Sequence, residues 1–166
     1  MGKKTMVAGV LAVVAALVVF GSAQATGGAA ARLGVGSTEY GKAVFGPSGK
    51  VLYVFEADHG STSNCYGVCA KAWPPLLTTG APLAGSGVEA KLLGSTRRSD
   101  GSLQVTYGGH PLYYYSGDAA GKIMCQAANM HGGFWYVVNA DGGANKAKGH
   151  GAMMMGHEMM KEHGKM

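Results

Sequence analysis

The chain has 166 residues, 14 Lys and Arg against 9 Asp and Glu, and a formal net charge of +5. That length suits one domain with tails rather than a string of domains. The charges are scattered apart from Lys3-Lys4 and Arg97-Arg98, so no basic stripe exists to follow a phosphate backbone, and nucleic acid is not the expected partner.

The N-terminus carries Lys3 and Lys4, an apolar run from Met6 to Phe20, and Ala23-Gln24-Ala25. This order of basic, apolar and small-x-small segments predicts a secretory signal peptide over residues 1–25, with the mature chain starting at Thr26. The apolar run of 15 residues falls short of the ~20 needed to cross a bilayer, so no stable membrane span is expected after cleavage. Export predicts an extracytoplasmic location, periplasm or cell surface, where disulfides form. Residues 26–32 are Gly- and Ala-rich and read as a flexible leader, residues 33–141 hold the globular signal, and residues 142–166 read as a tail.

Within the globular stretch, Leu52-Tyr53-Val54-Phe55-Glu56-Ala57-Asp58 recurs as Leu112-Tyr113-Tyr114-Tyr115-Ser116-Gly117-Asp118, an offset of 60 residues. The same offset carries Cys65 onto Cys125, and Trp73 meets Trp135 after a slip of two. An internal repeat of this kind predicts two related units sharing one core. Short β-prone runs at Lys50–Phe55, Leu103–Tyr107, Pro111–Tyr115 and Phe134–Val138 stand between turn clusters, and Gly108-Gly109 joins two of them as a hairpin turn. The fold class is therefore all-β, or mostly β: a small antiparallel domain built from two repeat units. Side chains alternate along a strand, so Leu52 and Val54 share one face and Tyr53 and Phe55 the other. Both faces are apolar. Such strands are buried on both sides or expose an aromatic binding surface, and core packing is the simpler reading.

The residues that carry this pattern also resemble a known family. Leu52–Asp58 gives Leu-Tyr-x-aromatic-x-x-Asp, and Cys65–Leu76 gives Cys-x-x-x-Cys-Ala-x-x-Trp-Pro-Pro-Leu. Arg98–Gly101 gives Arg-x-Asp-Gly, Gln104–Tyr113 gives Gln-Val-Thr-Tyr-x-Gly-x-Pro-Leu-Tyr, and Gly132 to Val138 closes the set. Together they resemble the bacterial secreted-repeat family of predicted envelope lipoproteins, across about residues 33–141. The resemblance implies an envelope location and a duplicated module, and it brings no reaction with it. The chain departs from lipoprotein members in having no cysteine directly after the apolar run, and in adding a Met- and His-rich tail.

Three cysteines remain, an odd number for an exported chain. Cys65 and Cys69 can bridge if Tyr66-Gly67-Val68 turns, leaving Cys125 as a thiol. A rival pairing joins Cys65 to its repeat counterpart Cys125, and a reduced Cys65/Cys69 pair acting on metal or redox partners is the third possibility. In the tail, Met153, Met154, Met155, Met159 and Met160 offer thioether sulfur, and His150, His157 and His163 offer imidazole. Thioethers select Cu(I) and imidazole suits Cu(II) or zinc, so these residues form a candidate metal site with copper foremost. The simpler account is a low-complexity extension. His157-Glu158 is no zincin motif, because Lys161 stands where the second His belongs.

No phosphate-binding loop and no Gly-x-Ser-x-Gly occurs, and His59, His110 and His131 stand singly in turn contexts. Asp58 and Asp118 end their strands, where an Asp most often hydrogen-bonds the following turn backbone. The expected protein is thus a non-enzymatic exported module with an envelope or extracellular partner and a copper-binding tail. Two rivals are an envelope electron-transfer accessory using Cys and Tyr, and a purely structural surface module.

Overall fold

The computed structural model describes Gly2 and residues 29–149. Apart from Gly2, the expected signal peptide lies outside the described residues, and so do the tail donors from His150 to His163.

In chain order the elements are β1 (Arg32–Thr38), β2 (Gly41–Phe45), β3 (Tyr53–Phe55), the short helix α1 (Val68–Ala72), β4 (Leu77–Thr78), β5 (Leu83–Ala84), a 3-10 turn (Ala90–Leu92), β6 (Leu93–Arg97), β7 (Leu103–Tyr107), β8 (His110–Pro111), β9 (Ala128–Met130) and β10 (Gly133–Val137). They form three small sheets, ordered β2-β1-β5, β3-β10-β9 and β4-β7-β6, with β8 on the side of β7. All pairings are antiparallel except β1 with β5. No helix among the described residues is long and apolar enough to cross a membrane.

The β7–β8 hairpin turns through Gly108-Gly109, with Tyr107 opposite His110. Both glycines have positive φ, 59° and 83°, as a two-residue turn matching strand twist requires. The second arm is shorter than the Pro111–Tyr115 run predicts. After Pro111 the chain leaves β7: Tyr113 pairs with Tyr53, and Tyr114 N–H donates to the Pro74 carbonyl at 2.8 Å.

That departure builds the pseudo-symmetry. Tyr53 and Tyr113, equivalent in the repeat, form an antiparallel bridge and exchange both backbone hydrogen bonds, at 2.8 and 2.9 Å. Equivalent residues that face each other antiparallel must straddle a local twofold axis. Away from the axis each motif strand runs beside the Trp-bearing segment of the other unit. Phe55 pairs with Trp135 in β3–β10, while Ser116 N–H donates to the Ala72 carbonyl at 2.9 Å. Leu52 O accepts from Val138 N–H at 3.0 Å, and Leu112 O accepts from Leu76 N–H at 2.9 Å. Each unit completes its ladder only with the other.

The motif strands also divide the interior. Leu52, Val54 and Leu112 face an aliphatic cluster with Leu33, Val44, Leu76, Val105 and Val138. Tyr53, Phe55 and Tyr113 face an aromatic cluster with Trp73, Trp135 and the Cys65–Cys69 pair. The two apolar faces read from the sequence are thus both core-facing. Ordered structure also extends beyond 33–141. Ala31 is buried, and its N–H donates to Thr78 Oγ1 at 3.2 Å. Asn145 is buried and donates backbone N–H to the Val137 carbonyl at 2.8 Å.

Candidate functional site

The repeat motif assembles around the twofold axis as a crossed clasp. Tyr53 OH donates to Asp118 Oδ2 at 2.6 Å, and Tyr113 OH donates to Asp58 Oδ2 at 2.8 Å. The aspartate of each unit thus holds the tyrosine of the other. The second oxygen of each carboxylate does what a turn aspartate does: Asp58 Oδ1 accepts from Asn64 N–H at 2.7 Å, and Asp118 Oδ1 accepts from Met124 N–H at 2.9 Å. Burial pushes both carboxyls above the ordinary carboxylate range, against these hydrogen bonds. Burial likewise raises both tyrosine hydroxyls, helped by the facing carboxylates, so both phenols stay protonated donors.

Between the clasps lie four stacked rings, Phe55, Trp135, Trp73 and Tyr115. Phe55 and Trp135 centroids are 4.1 Å apart with planes 8° from parallel, and Trp135 and Trp73 are 4.0 Å apart at 5°. Tyr115 follows at 4.7 Å, tilted by 42°. Tyr53 meets Trp73 edge-on at 5.1 Å, and Tyr113 meets Trp135 in the same way at 5.1 Å. Both indoles are fully buried. Offset and edge-to-face contacts of this kind add about 0.5–1.5 kcal/mol per pair beyond burial.

The two poles of this centre are finished differently. At the Asp58 pole, Tyr113 OH lies 2.7 Å from Ser63 Oγ. Arg98 reaches in behind it, donating to Ser63 Oγ at 2.9 Å, to the Cys65 carbonyl at 2.7 Å and to Gln104 Oε1 at 2.5 Å. Its guanidinium also lies 4.3 Å from the Tyr66 ring centroid. Gln104 passes the network on, donating to the Leu112 carbonyl at 2.8 Å. Cys65 and Cys69 are disulfide-bonded, with Cα atoms 5.2 Å apart, and pin α1 to this pole. The cross-unit pairing of Cys65 with Cys125 does not form.

At the Asp118 pole Ile123 stands where Ser63 stands in the first unit, and Cys125 is a half-buried thiol. Burial pushes the thiol above the ordinary thiol range. The indoles differ as well. Trp135 Nε1–H donates to the Met130 carbonyl at 3.0 Å, whereas Trp73 Nε1–H has no hydrogen-bond partner among the described residues. Strand β9 supplies that carbonyl in the second unit, and α1 occupies the corresponding place in the first.

Tyr53, Phe55, Asp58, Tyr113, Tyr115 and Asp118 are therefore brought together at one centre. The sequence reading missed Ser63, Arg98 and Gln104, although Arg98 and Gln104 sit inside the Arg-x-Asp-Gly and Gln-Val-Thr-Tyr segments. It also missed Gln126, which is fully buried. Gln126 accepts from Val137 N–H at 2.8 Å and donates to the Asn145 and Ala147 carbonyls at 2.6 and 2.9 Å, holding the chain that leads to His150. His59, His110 and His131 are exposed: His110 opens β8, His59 bridges Thr62, and His131 lies in the turn before β10. Among the described residues no three His, Cys, Asp or Glu side chains gather as a metal site. The tail donors lie beyond these residues.

A family model described as a secreted repeat of unknown function matches the chain twice, over residues 34–77 and 94–139. Each match spans one unit of the pseudo-symmetric pair. Neither the curated proteins nor the solved structures hold a match to the chain.

Proposed function

The chain belongs to the family of secreted repeats of unknown function, and from that premise we propose that it works outside the cytoplasm as a non-enzymatic module, a rigid duplicated domain that carries a copper-binding tail. The observation that supports this most is the direction of the repeat motif. Tyr53, Tyr113 and Asp118 are buried, Tyr53 is held by Asp118 and Tyr113 by the half-buried Asp58, so these signature residues serve the architecture. The remaining candidate chemistry lies in the sequence of the tail, where Met153, Met154, Met155, Met159 and Met160 offer soft sulfur and His150, His157 and His163 offer nitrogen. The tail has a firm root. Gln126 clamps residues 145–147, and Lys146 pairs with Glu56 at 3.2 Å over the Tyr136 ring.

The test is titration of the mature protein against a chain ending after Gly149, using Cu(I), Cu(II) and Zn(II). Cutting there preserves the Gln126–Asn145 clamp, so the domain stays folded. Only the full chain should bind copper. Cu(I) held by thioethers should persist in acid, while histidine binding fades as imidazole protonates near its ordinary pKa of about 6.5. Equal binding by both proteins would move the site into the domain. Binding by neither would leave a structural surface module.

A further inference from the structure

The two loops that close the clasp share a backbone role and differ in surface. Asn64 N–H caps Asp58 and Met124 N–H caps Asp118, so the two residues are equivalent in structure as well as in the repeat. In the first unit the side chains here are polar and engaged: Ser63 with Tyr113 and Arg98, and Asn64 Nδ2 with the Ala57 carbonyl. In the second unit Ile123 and Met124 take these places, and they line a cleft of about 280 Å3 together with Phe45, Lys122 and Ser37. Met124 is 52% exposed. An apolar cleft in place of a satisfied polar turn calls for an occupant. Its volume lies below the ~300–1,000 Å3 of small-molecule sites, so it suits one or two side chains.

The chain itself brings a candidate to this pole. It is held as far as Gly149: Gln126 donates to the Asn145 and Ala147 carbonyls, and a Cβ on Gly149 would run into the Gln126 carbonyl. Gln126 follows Met124 by two residues, a span of at most about 7 Å. Residues 150–166 continue from that root, and Met153, the first of three consecutive methionines, stands four residues past Gly149, a reach of roughly 13 Å. We propose that Met153, Met154 and Met155 fold back into the cleft of the Asp118 pole and seat their thioethers on Phe45, Ile123 and Met124. Methionine is unbranched and adapts to an irregular cleft, and its sulfur makes favourable contact with an aromatic ring such as Phe45. The held root makes the contact intramolecular, with an effective concentration on the order of millimolar, so a shallow apolar seat suffices. The two larger grooves, around Leu77 and Leu103 and around Gly46 and Gly85, include no residue of the 123–126 segment. Docking covers sulfurs that the tail would offer to Cu(I), so the domain governs how oxidants and metal reach them. The seat does not depend on the copper reading and is tested without metal.

The experiment is oxidation of the mature chain by dilute hydrogen peroxide with a chelator present, each sulfoxide being timed by peptide mapping. Met124 should oxidise severalfold more slowly in the full chain than in a chain ending after Gly149. Within the full chain, Met153, Met154 and Met155 should lag Met166 severalfold. Met124→Asn, which restores the first unit's residue, should release the three to the rate of Met166 while the unfolding midpoint holds. Replacing Met153, Met154 and Met155 by Gln leaves the cleft intact and should expose Met124 as truncation does. Equal Met124 rates with and without the tail would overturn the proposal. So would Met153, Met154 and Met155 reacting as fast as Met166 in the parent, or protection that survives Met124→Asn. Protection that fades on dilution would place the tail of a second copy in the cleft and overturn the intramolecular seat.

Discussion

The Asp58 and Asp118 poles perform the same task with different surroundings. Both hold a tyrosine of the opposite unit and both cap their own turn. The Asp58 pole is backed by Ser63, Arg98 and Gln104 and tied by the Cys65–Cys69 bridge, while the Asp118 pole has Ile123, a three-residue strand and a free thiol. The difference shows what duplication constrains. The reciprocal pairs, Tyr53 with Asp118 and Tyr113 with Asp58, remain matched, whereas other contacts across the units, such as Ser63 with Tyr113 and Arg98 with Ser63, occur at one pole only. Residues whose contacts stay within one pole have diverged.

The largest expected effect lies at the shared centre. Trp73→Ala and Trp135→Ala each remove a fully buried indole from the stack and should cost about 3–5 kcal/mol in denaturant unfolding. A loss confined to one of the two would break the symmetric description. Next comes the asymmetric pole. Arg98→Met keeps much of the volume but leaves Ser63, Gln104 and the Cys65 carbonyl without their donor, and should cost roughly 3 kcal/mol. A near-neutral Arg98→Met would mean that the network is replaceable packing.

At the other pole, Asp118→Asn should cost about 1–3 kcal/mol, because one amide oxygen cannot replace two carboxylate oxygens toward Tyr53 and Met124. The pH dependence has a definite sign. Burial raises the Asp118 carboxyl above its ordinary 3.8, so the stability this titration contributes is full below 3.8 and is lost as pH rises through the raised value. The margin of the parent over Asp118→Asn, followed by thermal unfolding, should be widest in acid and narrow toward neutrality. A margin that widens with pH would reverse the assignment. The smallest effect separates the cysteines. Replacing Cys65 and Cys69 by Ser should cost less than the ~3 kcal/mol expected of a 15-residue loop, since the bridge closes a separation of only 4. Cys125→Ser should change stability by no more than about 0.5 kcal/mol, as half-buried positions outside a bridge or network usually do.

Much of this arrangement could be read before any coordinates, where the signal was local. The Gly108-Gly109 turn, the two apolar faces of Leu52–Phe55 and the four-residue cysteine spacing each carry their geometry within a few positions. The repeat itself announced two units and a shared aromatic core. The crossing of the clasp was not legible, because Tyr53 meets Asp118 across 65 residues and Tyr113 meets Asp58 across 55. The local rule for a strand-ending aspartate accounts for Oδ1 and is silent about Oδ2. Arg98 was hidden by its neighbour: an Arg-Arg pair reads as surface, yet Arg97 is exposed and Arg98 buried. Strands β1, β2 and β6 were missed because their glycines and small residues dilute the alternation, and pairing with a partner strand supplies what propensity lacks.

The crossed clasp is the central claim, and a pair of double-mutant cycles tests it most directly. Tyr53→Phe combined with Asp118→Asn, and Tyr113→Phe combined with Asp58→Asn, should each show a coupling energy of about 0.5–3 kcal/mol in equilibrium unfolding, as residues in contact do. The within-unit combination, Tyr53→Phe with Asp58→Asn, should be additive to within about 0.5 kcal/mol. Coupling inside a unit with additivity across units would mean that each motif closes on itself, and would contradict the account.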